Sequence, residues 1–124
     1  MLSVGVDIVE IERIAKALER FGDRFLERIY TQAEVAHCRG RVAELAARFA
    51  AKEAISKALG TGIYGLTWQE MEILPDPLGQ PQVYLHGSAL ERARTLGLTD
   101  LAVSLSHSQE YAIAFVVASE TRTS

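Results

Sequence analysis

Three short stretches of this chain carry side chains able to do chemistry. Asp7 stands alone in "LSVGVDIV", between Val6 and Ile8. Asp is depleted in strands, so its presence in an apolar, β-branched run asks for a reason. Arg48, Lys52, Glu53, Ser56 and Lys57 interrupt the otherwise small and apolar run "ARFAAKEAISKALGTG". Ser104, Ser106, His107 and Ser108 crowd "SLSHSQEY". Asp7 and Glu53 are the two best candidates for a carboxylate pair on a hard cation. Mg²⁺ takes one or two protein carboxylates and completes its shell with water and phosphate oxygens. The serines and the histidine would then supply hydroxyl and imidazole donors for a phosphate.

Each stretch also has a plainer account. Asp7 can end a strand and cap the next helix. Glu53 and Lys57 are an i, i+4 helix pair, worth about 0.2–0.5 kcal/mol. "SLSHSQEY" reads equally as a polar hairpin turn. Other chemistries fit less well. No G-x-S-x-G elbow supports a serine hydrolase. His37, His86, His107 and Cys38 lack zinc-ligand spacing. "GTG" is not followed by Lys-Ser/Thr, so no P-loop is present.

These residues need elements to hold them. Residues 2–9 read as a strand that is apolar on both faces and therefore central. Ile11, Ile14, Ala15, Leu18 and Phe21 step by three and four, predicting a helix from Glu10 to Phe21 that stops at Gly22. "DRFLERIYT" adds a helical turn or two, and Glu34 to Glu44 is weakly patterned helix. Leu45 to Leu59 is a strong helix closed by Gly60. "WQEMEIL" and "QVYL" are strands around "PDPLGQP". Ser88 to Gly97 is a short helix capped by Ser88. "LAVSLSHS" and "YAIAFVVAS" form a last hairpin, and the tail at 120–124 is frayed. The order predicts an α+β fold with a largely antiparallel sheet and one long central helix, in a single domain over residues 1–124.

At 100° per residue the long helix puts Glu53, Ser56, Lys57 and Gly60 on one face. Arg48 and Lys52 lie together on another side, so Lys52 is kept out of the site. No wide polar stripe exists, so some of these charges must be buried, which is tolerable only if they are paired or on a metal. Gly60 and Gly62 would let a backbone approach a ligand closely.

The chain has 124 residues and a net charge of −3, which argues against a general nucleic-acid binder. No run reaches the roughly 18 apolar residues of a membrane span. No signal peptide opens the chain, and a single cysteine fits a cytoplasmic location. Arg13, Lys16, Arg20 and Arg24 recur along the first helices, with Gly22 as a break. They form either a solvated face or a docking ridge for an acidic partner.

Taken together, "GVDIVEIERI" (Gly5 to Ile14), "RFAAKEAISKALGTG" (Arg48 to Gly62) and "SLSHSQEYAIAFVVA" (Ser104 to Ala118) resemble the three signatures of bacterial holo-acyl carrier protein synthases, 4′-phosphopantetheinyl transferases. The resemblance covers nearly the whole chain, and the middle motif is the specific one. It implies transfer of the phosphopantetheine arm of coenzyme A to a serine of apo-acyl carrier protein, releasing adenosine 3′,5′-bisphosphate. It implies Mg²⁺ on Asp7 and Glu53, and Lys57 on the pyrophosphate. Arg48, His107, Ser106 and Ser108 would hold the 3′-phosphate and nearby groups, with Ser56, Gly60 and Gly62 beside the cofactor. It also implies a homotrimer with sites at subunit interfaces, and an acidic carrier protein as the partner of the Arg13 ridge. The serine's proton would pass to Glu53 or to a water beside it on the metal. Two rival readings are a non-catalytic nucleotide- or protein-binding module, and a Mg²⁺-dependent phosphohydrolase acting on coenzyme A.

Overall fold

The computed structural model describes residues 1–61 and 65–120. In chain order the elements are β1 (Leu2–Glu10), α1 (Ile11–Phe21), α2 (Asp23–Ile29), α3 (Gln32–Cys38), α4 (Val42–Ala58), a 3₁₀ turn (Trp68–Glu70), β2 (Met71–Pro75), β3 (Pro81–Leu85), α5 (Gly87–Leu96), β4 (Asp100–His107) and β5 (Tyr111–Ser119). The predicted α+β order stands. All strand pairings are antiparallel: a three-stranded sheet in the order β1-β5-β4 and a β2-β3 hairpin.

Three boundaries differ from expectation. The weak helix at 34–44 is two helices, broken where Arg39 adopts a left-handed backbone (φ 50°). The long helix therefore starts at Val42, not Leu45. "WQE" is a 3₁₀ turn rather than strand. Ser88 lies inside α5 and does not cap it; the cap position is His86, and Glu70 Oε2 accepts the Ala89 amide instead. In the tail, Glu120 pairs with the Met1 ammonium at 3.0 Å, and residues 121–124 lie outside the described residues.

β1 is an edge strand, not the central one; β5 is central. Its inner row, Gly5 and Val9, is buried against α4, while Leu2, Val4, Val6 and Ile8 are exposed. On β5 the same outer face carries exposed Tyr111, Ile113 and Phe115. The two-sided apolar pattern of β1 thus marks one face covered by the chain's own helix and one that the chain leaves bare.

α4 lies across the inner face and is buried almost all round, as its ring of alanines requires. Ala47, Ala50, Ala51, Ala54 and Ala58 give it a thin profile against buried Ala112, Ala114, Val116 and Ala118 of β5. At Gly5 the approach is closest. A Cβ built there would lie 2.0 Å from the Ala54 carbonyl oxygen and 3.0 Å from the Ala58 nitrogen. Only glycine lets strand and helix meet at this point.

The remaining charges of α4 hold the hairpin. Lys52 and Glu34 are fully buried and paired at 2.8 Å. Lys52 Nζ also donates to the carbonyls of Met71 (2.6 Å) and Trp68 (3.1 Å). Glu34 Oε2 accepts the Ile73 amide at 2.9 Å, and its Oε1 closes a capping box with Thr31. The cluster ties α3, α4, the 3₁₀ turn and β2 together. Burial lowers the Lys52 pKa, with Glu34 pulling it back up.

Candidate active site

Gly5 fixes the spacing of β1 and α4, and the residues on either side of this contact carry the charge. Asp7 follows Gly5 on the same inner row of β1. Glu53 precedes Ala54 on α4, and Lys57 precedes Ala58 one turn later. Lys57 Nζ donates to Asp7 Oδ1 at 3.1 Å and to the Val6 carbonyl at 3.0 Å. Lys57 is therefore bonded across to β1, not simply trimming its own helix, and Asp7 is not a helix cap. The Asp7 side chain is 16% exposed and that of Lys57 52%, so the junction is open on one side.

Glu53 is half-buried beside this pair. Burial raises its pKa and the Asp7 charge raises it further, while Lys57 and Arg13 pull it down. Asp7, Glu53, Lys57 and Arg13 thus share one electrostatic neighbourhood. A carboxylate whose ionisation is opposed by a second carboxylate beside it is the kind of donor set that a divalent cation relieves. Among the described residues no group of three or more His, Cys, Asp and Glu assembles. Two protein carboxylates fit Mg²⁺, whose remaining positions go to water and phosphate oxygens.

The other candidates divide. Gly60 is exposed, has φ +75°, and ends α4 next to Lys57. Gly62 lies outside the described residues. Ser56 is buried, and its hydroxyl donates back to the Glu53 carbonyl at 2.7 Å, so it is not on the open wall with Glu53 and Lys57. Arg48 is also buried, at 2% exposure. Its Nε donates to the Ile73 carbonyl (3.0 Å) and its NH1 pairs with Glu44 (2.9 Å). It floors a separate cleft of about 500 Å³ with His37, Arg41, Pro75 and Leu105. The helical wheel placed Arg48 and Ser56 by angle, but an angle does not show what packs opposite.

The serine–histidine stretch is split by the pleat of β4. His107 is exposed at the strand end, in the inward row of Leu105, and pairs with Ala112, which pairs in turn with Val9 of β1. Ser106 points to the outer face and pairs with exposed Ile113. Ser108 is committed to its own turn, its Oγ accepting the amides of Glu110 (3.3 Å) and Tyr111 (3.2 Å). One chain therefore brings only His107 to the Asp7 side of the sheet.

Arg13, Lys16 and Arg20 are exposed along α1, and Lys16 stands 3.7 Å from Glu12. Gly22, at φ +55°, breaks the ridge there. Arg24 lies beyond it on α2, lining a groove of about 350 Å³ with Phe21, Phe25, Arg28 and Trp68. The ridge begins at the site itself, because Arg13 is the residue that acts on Glu53.

Sequence reasoning missed Glu34, whose signal was the Thr31-x-x-Glu34 capping box. It also passed over Gly5 as a space-making residue and Ser3, whose Oγ donates to the Ala58 carbonyl at 2.6 Å.

The chain as a whole is similar to known proteins. Residues 3–116 match the family model of the 4′-phosphopantetheinyl transferase superfamily. A holo-[acyl-carrier-protein] synthase of Dehalococcoides mccartyi is 53% identical over 120 residues, covering 97% of this chain and all of that one. One from Herpetosiphon aurantiacus is 49% identical over 124 residues, covering 94% and 98%. The crystal structure of the Helicobacter pylori holo-[acyl-carrier-protein] synthase in complex with coenzyme A superposes with a TM-score of 0.86 at 38% identity, covering 94% and 99%. That of the Neisseria meningitidis synthase gives 0.87 at 35%, covering 95% and 98%.

Proposed function

The chain belongs to the 4′-phosphopantetheinyl transferase superfamily, among the holo-[acyl-carrier-protein] synthases, and on that premise we propose that it modifies apo-acyl carrier protein. It moves the 4′-phosphopantetheine arm of coenzyme A onto a carrier serine and releases adenosine 3′,5′-bisphosphate. The product is holo-carrier for fatty acid biosynthesis. The observation that carries this reading is the convergence of Asp7, Glu53 and Lys57 where β1 crosses α4.

Phosphoryl transfer needs positioning and charge neutralisation more than covalent help. Asp7 and Glu53 would hold Mg²⁺, which would supply Lewis-acid polarisation and charge neutralisation for the pyrophosphate. Lys57, with its ammonium exposed, adds charge to the pyrophosphate. Gly60 leaves room for the cofactor at the end of α4. The serine proton would pass to Glu53 or to a water beside it on the metal. His107 offers an imidazole to a phosphate at the end of β4.

The bare outer face of the sheet supports a homotrimer. Seven large apolar side chains of β1 and β5 on it are exposed, from Ile113 at 39% to Leu2 at 70%. A contiguous apolar patch of this kind marks a protein interface. Once that face is covered, Ser106 can meet a cofactor held by a neighbouring subunit. The Arg13 ridge and the groove at Arg24 suit an acidic carrier, and a carrier docked there delivers its serine beside Glu53.

The test is intact mass. The protein is incubated with apo-carrier, coenzyme A and Mg²⁺, and the carrier is weighed. A gain of one phosphopantetheine arm, abolished by EDTA or by Asp7→Ala, supports the transferase. Unchanged carrier with consumed coenzyme A would show a hydrolase instead. Charge reversal at Arg13 and Arg20 should raise the KM for carrier and spare that for coenzyme A; equal effects on both would remove the docking role.

A further inference from the structure

An α-helix leaves its last four carbonyls without partners inside the helix, and each must be satisfied elsewhere. At the end of α4 every one is accounted for. The Ser56 carbonyl accepts the Thr61 amide at 3.2 Å, and the Lys57 carbonyl accepts the Gly60 amide at 3.0 Å. This is the paired pattern of a Schellman turn, with Gly60 in the left-handed position it requires. The Ala58 carbonyl accepts Ser3 Oγ from β1. The Leu59 carbonyl accepts Arg92 Nε from α5 at 3.1 Å. Gly60 is thus held from one side by β1 and from the other by a single guanidinium, whose NH2 lies 3.7 Å from where a Gly60 Cβ would be.

Arg92 is itself well placed. It is half-buried, so its fork is not free to wander in solvent. The helix that carries it is anchored at its other end. Glu70 Oε2 accepts the Ala89 amide at 3.0 Å, and Gly87 packs so tightly on that carboxylate that a Cβ would lie 2.5 Å from it. The His86 amide adds a bond to the Glu70 carbonyl at 2.8 Å. The path runs from the β2 end through α5 to the last turn of α4. A cation at a helix C-terminus is also favoured by the aligned peptide dipoles.

We infer that Arg92 is a positioning residue for the coenzyme A end of the site: by holding the Leu59 carbonyl it fixes the turn at Gly60 and, one turn back, the backbone from which Lys57 reaches Asp7. The inference rests on the proposed transferase reading for its effect on catalysis, but not for its effect on the turn. Arg92 touches neither Asp7 nor the docking ridge, so its loss should be felt by one substrate and not the other.

The experiment compares Arg92→Ala, Arg92→Lys and the parent protein. In the free protein, hydrogen exchange at the amides of Gly60 and Thr61 should speed up about tenfold in Arg92→Ala. Amides of β5 should be unchanged. In the transfer assay the KM for coenzyme A should rise about tenfold while the KM for carrier stays within twofold. Arg92→Lys keeps a cation at the helix end and should recover part of both effects. Unchanged exchange at Gly60 and Thr61 overturns the inference, whatever the enzyme does. So does a parallel rise in both KM values with faster exchange throughout, which would show general loosening. If the parent transfers nothing to the carrier, the proposed function fails, and exchange alone still decides the role of Arg92 at the turn.

Discussion

Gly5→Ala tests how tightly the site is tied to the fold. The added Cβ would lie 2.0 Å from the Ala54 carbonyl oxygen, and ordinary contact begins near 3.4 Å, so β1 and α4 must part by about 3.4 − 2.0 = 1.4 Å. The backbone at Gly5 is not among the positive-φ glycines, so alanine meets a lack of space and no backbone strain. Overpacking of this kind costs about 3 kcal/mol, or roughly 10 °C in Tm for a chain of this length. The same displacement separates Asp7 from Glu53 and Lys57, which flank the colliding atoms. A misplacement of about 1 Å at a reacting centre can cost about a hundredfold in rate. Thermal unfolding at fixed protein concentration gives the first number, and single-turnover carrier mass under saturating Mg²⁺ and coenzyme A gives the second. Gly79→Ala is the control, since nothing lies within 4 Å of its Cβ and only its φ of +88° is strained. A Gly5→Ala protein with activity within twofold of the parent and an unchanged Tm would refute the claim that this contact sets the spacing of the site.

Glu53→Gln should separate stability from function. The folded-state pKa of Glu53 is raised above the ordinary 4.5 by burial and by Asp7, so the folded chain holds that proton more tightly than the unfolded chain. Stability therefore falls as pH rises through the window above 4.5, and in EDTA the Gln variant should outlast the parent at pH 7 but not at pH 4. The Tm gain on adding Mg²⁺ should grow as pH rises through the same window and vanish in the variant; parallel curves for the two proteins would refute the assignment. Lys52→Met strands Glu34 as a buried unpaired charge and should cost about 3–5 kcal/mol, seen as a shifted urea midpoint. Full stability in that variant would show that the Ile73 and Thr31 amides satisfy Glu34 without the lysine. Phe115→Glu, on the bare face of β5, should lower the mass measured by sedimentation from three chains to one and remove activity; an unchanged mass would rule that face out as the interface.

Much of this was legible in the chain. Period-three-and-four spacing located α1, α4 and α5 to within a few residues, because amphipathic or all-apolar periodicity is imposed by burial. Asp7, Glu53 and Lys57 stood out because each breaks a local rule of its element. What sequence periodicity lacks is the identity of the opposing surface. Arg48 looked as chemical as Glu53 and Lys57, while Lys52 was set aside by its angle alone; both face the β2-β3 hairpin, where backbone carbonyls accept their hydrogen bonds. Ser106 and His107 are neighbours in the chain and point to opposite sides of the sheet. β1 looked central because both its faces are apolar, but an apolar outer face can also be left bare at an edge, as Leu2, Val4, Val6 and Ile8 are here.

Among the described elements β1 comes first in the chain and β5 last, and their ladder joins Leu2 to Ser119. The strand bearing Asp7 has no hydrogen-bonding strand beside it until Tyr111–Ser119 has been made. A nascent chain can form α4, with Glu53 and Lys57 in place, yet still lack the carboxylate opposite them. The reactive centre is thus completed late in synthesis, and contacts of such long sequence separation close slowly. An incomplete chain that lacks β5 would have no working centre with which to consume coenzyme A. Met1 also pairs with Glu120, so a short linker from Glu120 to Met1 in a chain trimmed after Glu120 would leave the ladder intact. New ends opened in the turn at Asp76–Gln80 would then let both strands emerge together, in a permuted protein whose centre no longer waits for its last residues.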